Sequence, residues 1–298
     1  MTDKITEKCV KYDYIAVAGT SEYFNLWRQT KSIAQDVLEG MPLPPGTQIA
    51  DPEFAEEYYD EQRKAVRTTY DFGNKMMFLA QAVRALKEYG AVGNYRTFIY
   101  FTTGYSALQR QAAEEAAAKY ASPDRIFPVS TVEEFIALIN EATFPGETCE
   151  RKIKRIDLFC HGEPNELAFG YEGRKEDDQL FEIEQARKLD PARFELPHKL
   201  KADIYSWACQ TGNDEENNWG GLAPALAKHT GTRVHAYARR TLYSRSFHTG
   251  GKSESEAGLV RLDDGKENIV IWHPDGALGG VTEGNTPGSA PSGRKVFE

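Results

Sequence analysis

Beyond residue 95 the chain alternates short apolar runs of strand period with longer stretches of helical period, the pattern of a mainly parallel sheet carrying helices on its faces. Residues 97–101 read as a strand, and the alanine-rich stretch 106–120 as a helix. Residues 125–129 form a second strand. Ser130 or Thr131 then caps a helix with Glu133 and Glu134 in its first turn and Phe135, Leu138 and Ile139 on its apolar face. A third strand covers 153–160 and a fourth 202–207, separated by a polar excursion, 163–200, with a hairpin, a charged run at 175–178 and a short helix over 182–189. A helix over 221–229, a fifth strand over 233–238 and later strands at 259–262 and 269–272 complete the pattern.

The first 95 residues read differently. Tyr14, Ile15, Ala16, Val17 and Ala18 make a short strand, followed by mostly helical patterns. Ser21 caps a helix through Gly40, and residues 41–46, with three prolines and a glycine, end it. A longer helical stretch over 52–89, interrupted near Gly73, carries Met77, Ala80, Val83, Ala85 and Leu86 as a buried stripe and stops at Gly90 and Gly93. From Gly276 the chain is rich in Gly, Pro and Ser and is expected to stay mobile. The expected organisation is a mostly helical N-terminal region (1–95), an α/β domain (96–275) and a flexible tail (276–298), with no internal repeat.

Composition narrows the function classes. With 40% hydrophobic and 27% charged residues the chain is an ordinary globular sequence. Its formal net charge of -9 and pI near 5.4 disfavour nucleic acid or an anionic membrane as partner, because both attract a basic surface. The N-terminus lacks the apolar core of a secretory signal, and no run of about 18 apolar residues exists to span a bilayer. A cytoplasmic protein is expected, with export independent of a cleaved signal compatible with the same sequence. Cys9, Cys149, Cys160 and Cys209 are not spaced as a disulfide framework and are expected to be free thiols.

Two strand ends carry chemistry. Ile156-Asp157-Leu158-Phe159-Cys160 runs into His161-Gly162, and Ile204-Tyr205-Ser206-Trp207-Ala208 runs into Cys209-Gln210-Thr211-Gly212. In an open parallel sheet such ends form the edge where ligands gather. A thiol of ordinary pKa near 8.5 is only a few per cent thiolate at pH 7, so a nucleophilic cysteine needs a base beside it or a helix N-terminus. His161 supplies the base, Cys209 the nucleophile, and the N–H groups of Gly162 and Cys209 an oxyanion hole. Cys160, inside an apolar strand, reads as inert packing, and His229, His235, His248 and His273 as structural or exposed. Paired short spacings of zinc ligands are missing, as are the glycine-rich phosphate and dinucleotide motifs, so neither metal nor organic cofactor is expected.

The order His-Gly, then a second strand ending in Ala-Cys, resembles the caspase-like clan of cysteine peptidases, which includes caspases, metacaspases, gingipains, clostripain and separase. In motif style it is most similar to the CHAT-domain proteases: residues 206–212 look like Ser-Ala-Cys-x-Thr-Gly with one extra residue, and Gly220-Gly221-Leu222-Ala223 resembles the start of that group's downstream helix. The resemblance spans roughly residues 96–275. Trp207 stands where a small residue is common, and the caspase Gln-Ala-Cys-Arg-Gly is absent. The resemblance implies a three-layer α/β/α sandwich and a soluble thiol protease cleaving a protein substrate with a His161/Cys209 dyad through a thioester. The resemblance leaves the first 95 residues unexplained; that region is read as positioning substrate, inhibiting, or recruiting a regulatory or inhibitor protein.

Specificity candidates follow the fifth strand and the nucleophile. Arg239 or Arg240 would pair with an acidic substrate side chain; Asp214, Asp203 or the acidic run 176–178 would select a basic one. Two other readings use the same residues: a silent member of the fold serving as a binding or scaffold module, and a cysteine hydrolase of a non-protein amide or ester.

Overall fold

The computed structural model describes residues 9–20, 76–90, 94–170, 177–196, 200–214, 220–244, 252–253, 255–263 and 269–298. The helix expected over 21–40, its proline break and most of the stretch 52–89 lie outside the described residues.

In chain order the elements are β1 (Val10–Ala18), α1 (Met77–Glu88), β2 (Tyr95–Phe101), α2 (Ala107–Ala117), β3 (Ile126–Val129), α3 (Val132–Asn140) and β4 (Glu150–Phe159). Then come the short β5 (His161–Glu163), β6 (Glu166–Ala168) and β7 (Leu180–Glu182), α4 (Ile183–Ala186), β8 (Asp203–Ser206), α5 (Leu222–Thr230) and β9 (Arg233–Tyr237). The last elements are β10 (Thr241–Leu242), β11 (Val260–Asp263), β12 (Ile269–Trp272), β13 (Thr282–Glu283) and β14 (Arg294–Phe297).

A 7-stranded sheet in the order β14-β9-β8-β4-β1-β2-β3 forms the centre. Its neighbours are parallel except β14, which runs antiparallel to β9 at the edge. Both faces are covered. Ala16, Ala18, Phe98, Tyr100 and Phe159 pack on one side with α1 and α2, while Ile15, Val17, Ile99, Ile156 and Leu158 pack on the other with α3, α4 and α5. The α/β class and mainly parallel sheet are therefore as the sequence pattern predicts. Local signals hold as well: Ser106 with Gln109 and Thr131 with Glu134 close capping boxes on α2 and α3, so Thr131 rather than Ser130 is the cap.

The expected boundaries do not divide the sheet. β1 belongs to the region read as a separate N-terminal part, yet it lies between β4 and β2 in the middle of the sheet, and α1 packs on that sheet. The polar beginning of β1 obscured this. Asp13 is fully buried there, accepting from Thr97 Oγ1 (2.8 Å) and Arg151 Nε (2.6 Å), and Arg151 also donates to Leu138 O at the end of α3 (2.6 Å). A lone aspartate in an apolar strand is costly; pairing with a guanidinium from the neighbouring strand offsets much of that cost. The tail expected to be flexible likewise carries β13 and β14. It needs no core of its own, because an open sheet edge offers it a ladder of backbone partners.

Cys9 and Cys149, expected as free thiols, are joined in a disulfide with Cα atoms 4.6 Å apart. β1 and β4 pair with Val10 opposite Glu150, so the residues just before them are neighbours despite a sequence separation of 140. Cys160 and Cys209 are the free cysteines. Among the described residues no helix is long and apolar enough to cross a membrane.

From β1 the chain builds outward through β2 and β3, then crosses to β4 and builds the other way through β8 and β9. The crevice between β1 and β4 is where an open α/β sheet ordinarily receives a ligand. Here it is plugged. A Cβ on Gly19 would lie 2.9 Å from both Cys160 Cβ and Phe169 O, and Thr20 donates to Phe169 O from its backbone (2.7 Å) and its hydroxyl (3.1 Å). The segment after β6 thus closes the switch point, and the ends of β4 and β8 lie one strand along.

Candidate active site

β4 and β8 pair with Leu158 opposite Ser206, and Trp207 N donates to Leu158 O at 3.0 Å. β4 and β8 end at Phe159 and Ser206, so His161 and Cys209 each stand just beyond one of two neighbouring strand ends. Phe159 and Trp207 stack on the α1 side, with ring centroids 6.1 Å apart, whereas Cys160 and Ala208 join the opposite core, so alternation turns His161 back toward α1. His161 does so visibly: its ring meets Phe78 of α1 edge-on, at 5.0 Å between centroids.

Gly162 is the hinge of this juxtaposition. A Cβ there would lie 2.8 Å from Ala208 Cβ and Thr211 Cγ2 and 3.0 Å from Cys209 O, so only glycine lets the His161 strand close against the Cys209 turn. Gly212 performs the same service toward β9: a Cβ would lie 2.8 Å from Ala236 O, and its N–H donates to Tyr237 O at 2.9 Å.

The Cys209 thiol is half-buried, and its described hydrogen bonds run to Thr241. Thr241 Oγ1 donates to Trp207 O at 2.7 Å, so toward the sulfur, 3.6 Å away, that hydroxyl can only accept. The Thr241 backbone N–H donates to Sγ at 3.3 Å. One residue thus offers the sulfur an acceptor for its proton and a donor for the negative charge left behind. Tyr243, half-buried, donates to Trp207 O at 2.9 Å and meets Phe78 at 4.7 Å between centroids.

Burial pushes the His161 imidazole down to about 4, so the ring is neutral at pH 7. A neutral ring can take a proton, and once protonated it is a strong acid toward a leaving group. Burial, then the charge of Cys209, raises the Cys160 thiol well above its ordinary range, in keeping with an inert packed cysteine. The Tyr243 hydroxyl is raised by burial and by the two cysteines.

Trp207, the departure from the resembled motif, has a structural partner. Its Nε1 donates to Asp157 Oδ1 at 2.8 Å, and that buried carboxylate also receives two bonds from Arg155 (2.6 and 2.9 Å) and one from Tyr89 (2.7 Å). The indole two residues before Cys209 is therefore held in place.

The specificity candidates fare unequally. Asp214 is paired with Lys295 Nζ at 2.6 Å, a bond that lowers its carboxyl below the ordinary range. Asp203 begins β8 and pairs with Arg233 and His235, both at 2.9 Å. Arg239 donates to Ala290 O at 2.9 Å, which leaves Arg240, exposed one residue before Thr241, as the candidate reaching solvent. Asp177 and Asp178 open a short turn before β7, and Glu176 lies outside the described residues. The α5 N-terminus serves the neighbouring hairpin rather than the thiol, with Leu222 N donating to Pro164 O at 3.0 Å. Among the described residues no group of three or more His, Cys, Asp or Glu side chains could hold a metal ion.

Sequence reasoning missed Phe78, Thr241 and Tyr243. None belongs to a motif, and Phe78 lies in the region read as separate. No family model matches the chain, and neither a curated protein nor a solved structure matches it.

Proposed function

We propose that the protein is a cysteine peptidase of the caspase-like type, with Cys209 as nucleophile and His161 as its base and acid. The observation that carries the reading is the fit of Gly162 against Ala208, Thr211 and the Cys209 carbonyl, which brings the residue after His161 against the Cys209 turn where the neighbouring strands β4 and β8 end. The strand order, in which the His161 and Cys209 strands are parallel neighbours, supports the caspase-like assignment.

In the first half-reaction the Cys209 sulfur attacks the carbonyl carbon of the scissile amide while its proton passes to neutral His161. The oxyanion faces the N–H groups of Gly162 and Cys209. Collapse breaks the C–N bond, His161 returns the proton to the departing amine, and a thioester remains on Cys209. Water, deprotonated by His161, then attacks the thioester and frees the carboxylic acid and the thiol. The substrate is a protein segment with Arg240 at the entrance to its pocket, and no cofactor takes part. The Cys9–Cys149 disulfide supports work in oxidising surroundings rather than the reducing cytoplasm.

A peptide-library cleavage assay with wild type, Cys209→Ala and His161→Ala tests the reading. Loss of cleavage in both variants, with a thioester trapped on wild type only, is expected. Equal cleavage by wild type and Cys209→Ala overturns it.

A further inference from the structure

Cys209 is followed by a residue in an unusual conformation. Gln210 has φ of 56°, in the left-handed region that glycine enters without strain and other L-residues rarely adopt. A glycine would make the same turn more easily, so the side chain at this position needs a reason of its own. Its amide is buried, and Nε2 donates to Glu163 Oε2 at 3.1 Å. Glu163 lies two residues after His161 in β5 and hence on the same face of that strand.

The backbone of the turn is tied to the β9 side: Gln210 N donates to Arg239 O (3.1 Å), Gly212 N to Tyr237 O (2.9 Å) and Thr241 N to the Cys209 sulfur (3.3 Å). The Gln210 side chain reaches in the opposite direction, to the hairpin that carries His161. Cys209 is therefore held between a backbone anchor toward β9 and a side-chain anchor toward β5. Gly162 allows the two loops to touch; the Gln210–Glu163 bond sets how closely and at what angle.

We propose that Gln210 and Glu163 form a positioning strut that holds the Cys209 turn against the His161 strand at working distance. Neither is a catalytic residue, since each acts by placing another group. The inference rests on the hydrolase reading. Because Glu163 is exposed, the bond contributes little to global stability, and its effect falls on alignment, where a shift of about 1 Å can cost on the order of 100-fold in rate.

The test combines peptide cleavage, thermal unfolding and the rate at which iodoacetamide alkylates Cys209. Gln210→Gly relieves the backbone while removing the strut. Its unfolding midpoint should stay near wild type, kcat should fall about 10- to 100-fold with KM little changed, and Cys209 alkylation should change several-fold. Glu163→Ala should match it, whereas Glu163→Gln keeps an acceptor oxygen and should remain within about 3-fold of wild type; the Glu163→Ala/Gln210→Gly double variant should lose no more than either single one. The strut is overturned by wild-type kcat and alkylation in Gln210→Gly, by equal losses in Glu163→Gln and Glu163→Ala, or by additive losses in the double variant. Cys209→Ala separates the two ideas: full activity there removes the hydrolase reading and leaves alkylation to decide the strut, whereas a dead Cys209→Ala beside an unaffected Gln210→Gly removes the strut alone.

Discussion

Phe78 stands edge-on to the His161 ring, 5.0 Å between centroids, and also meets Tyr243 at 4.7 Å, so a residue of α1 walls the candidate base. The wall keeps water from the imidazole, and desolvation is the cause of its low pKa. Phe78→Ala admits water and should raise the His161 pKa toward the ordinary 6.5, moving the acidic limb of a kcat/KM profile upward by 1 unit or more. The shift is read from the pH profile and from the imidazole titration by NMR.

The same group makes stability depend on pH. His161 has a folded pKa of about 4 against an ordinary 6.5, so between these values the unfolded chain binds the extra proton. Its contribution is complete above about pH 6.5 and is lost as pH falls through the window to about 4, with a total of order 3 kcal/mol. Urea unfolding at pH 7 and pH 4.5 should show this loss in wild type and a much smaller one in His161→Gln.

Gly162→Ala places a methyl 2.8 Å from Ala208 Cβ and Thr211 Cγ2. The His161 strand and the Cys209 turn must then separate. A destabilisation of about 1–3 kcal/mol is expected, with activity reduced 100-fold or more because the reacting groups part. Denaturation midpoints and cleavage rates of the purified variant check both.

Asp157→Ala strips a buried acceptor from Arg155, Tyr89 and Trp207 together. Arg155 is partly exposed and can turn to water, so the loss falls mainly on the donors of Tyr89 and Trp207, about 1–3 kcal/mol, and Trp207 fluorescence should shift as its indole loses the bond. An unchanged unfolding midpoint would count against the network.

Reduction of the Cys9–Cys149 bridge releases a loop spanning 140 positions and should cost about 2–5 kcal/mol. Thiol counting on the unfolded, unreduced protein should find two free cysteines, Cys160 and Cys209, and Cys209 should label far faster in the native state.

Much of the architecture was legible in the chain. Apolar runs and capping boxes are local signals, and strands such as β4 and helices such as α3 lie close to where those signals put them. The start of β1 and the whole of β14 were not legible. Their stability comes from partners distant in sequence: Arg151 for Asp13, and β9 for the tail. The disulfide stayed hidden for the same reason, since only parallel pairing of β1 with β4 brings Cys9 to Cys149.

For the site, sequence alone determined that an imidazole and a thiol each end an apolar strand, because strand period and glycine placement are read within a few residues. Only the tertiary structure decided that those strands are neighbours in matching register and that the switch-point crevice is filled. It also decided that Asp214 and Arg239 are already engaged, and that Phe78, Thr241 and Gln210 surround the pair. Side-chain surroundings are set by packing between segments far apart in the chain, and no local pattern encodes a distance.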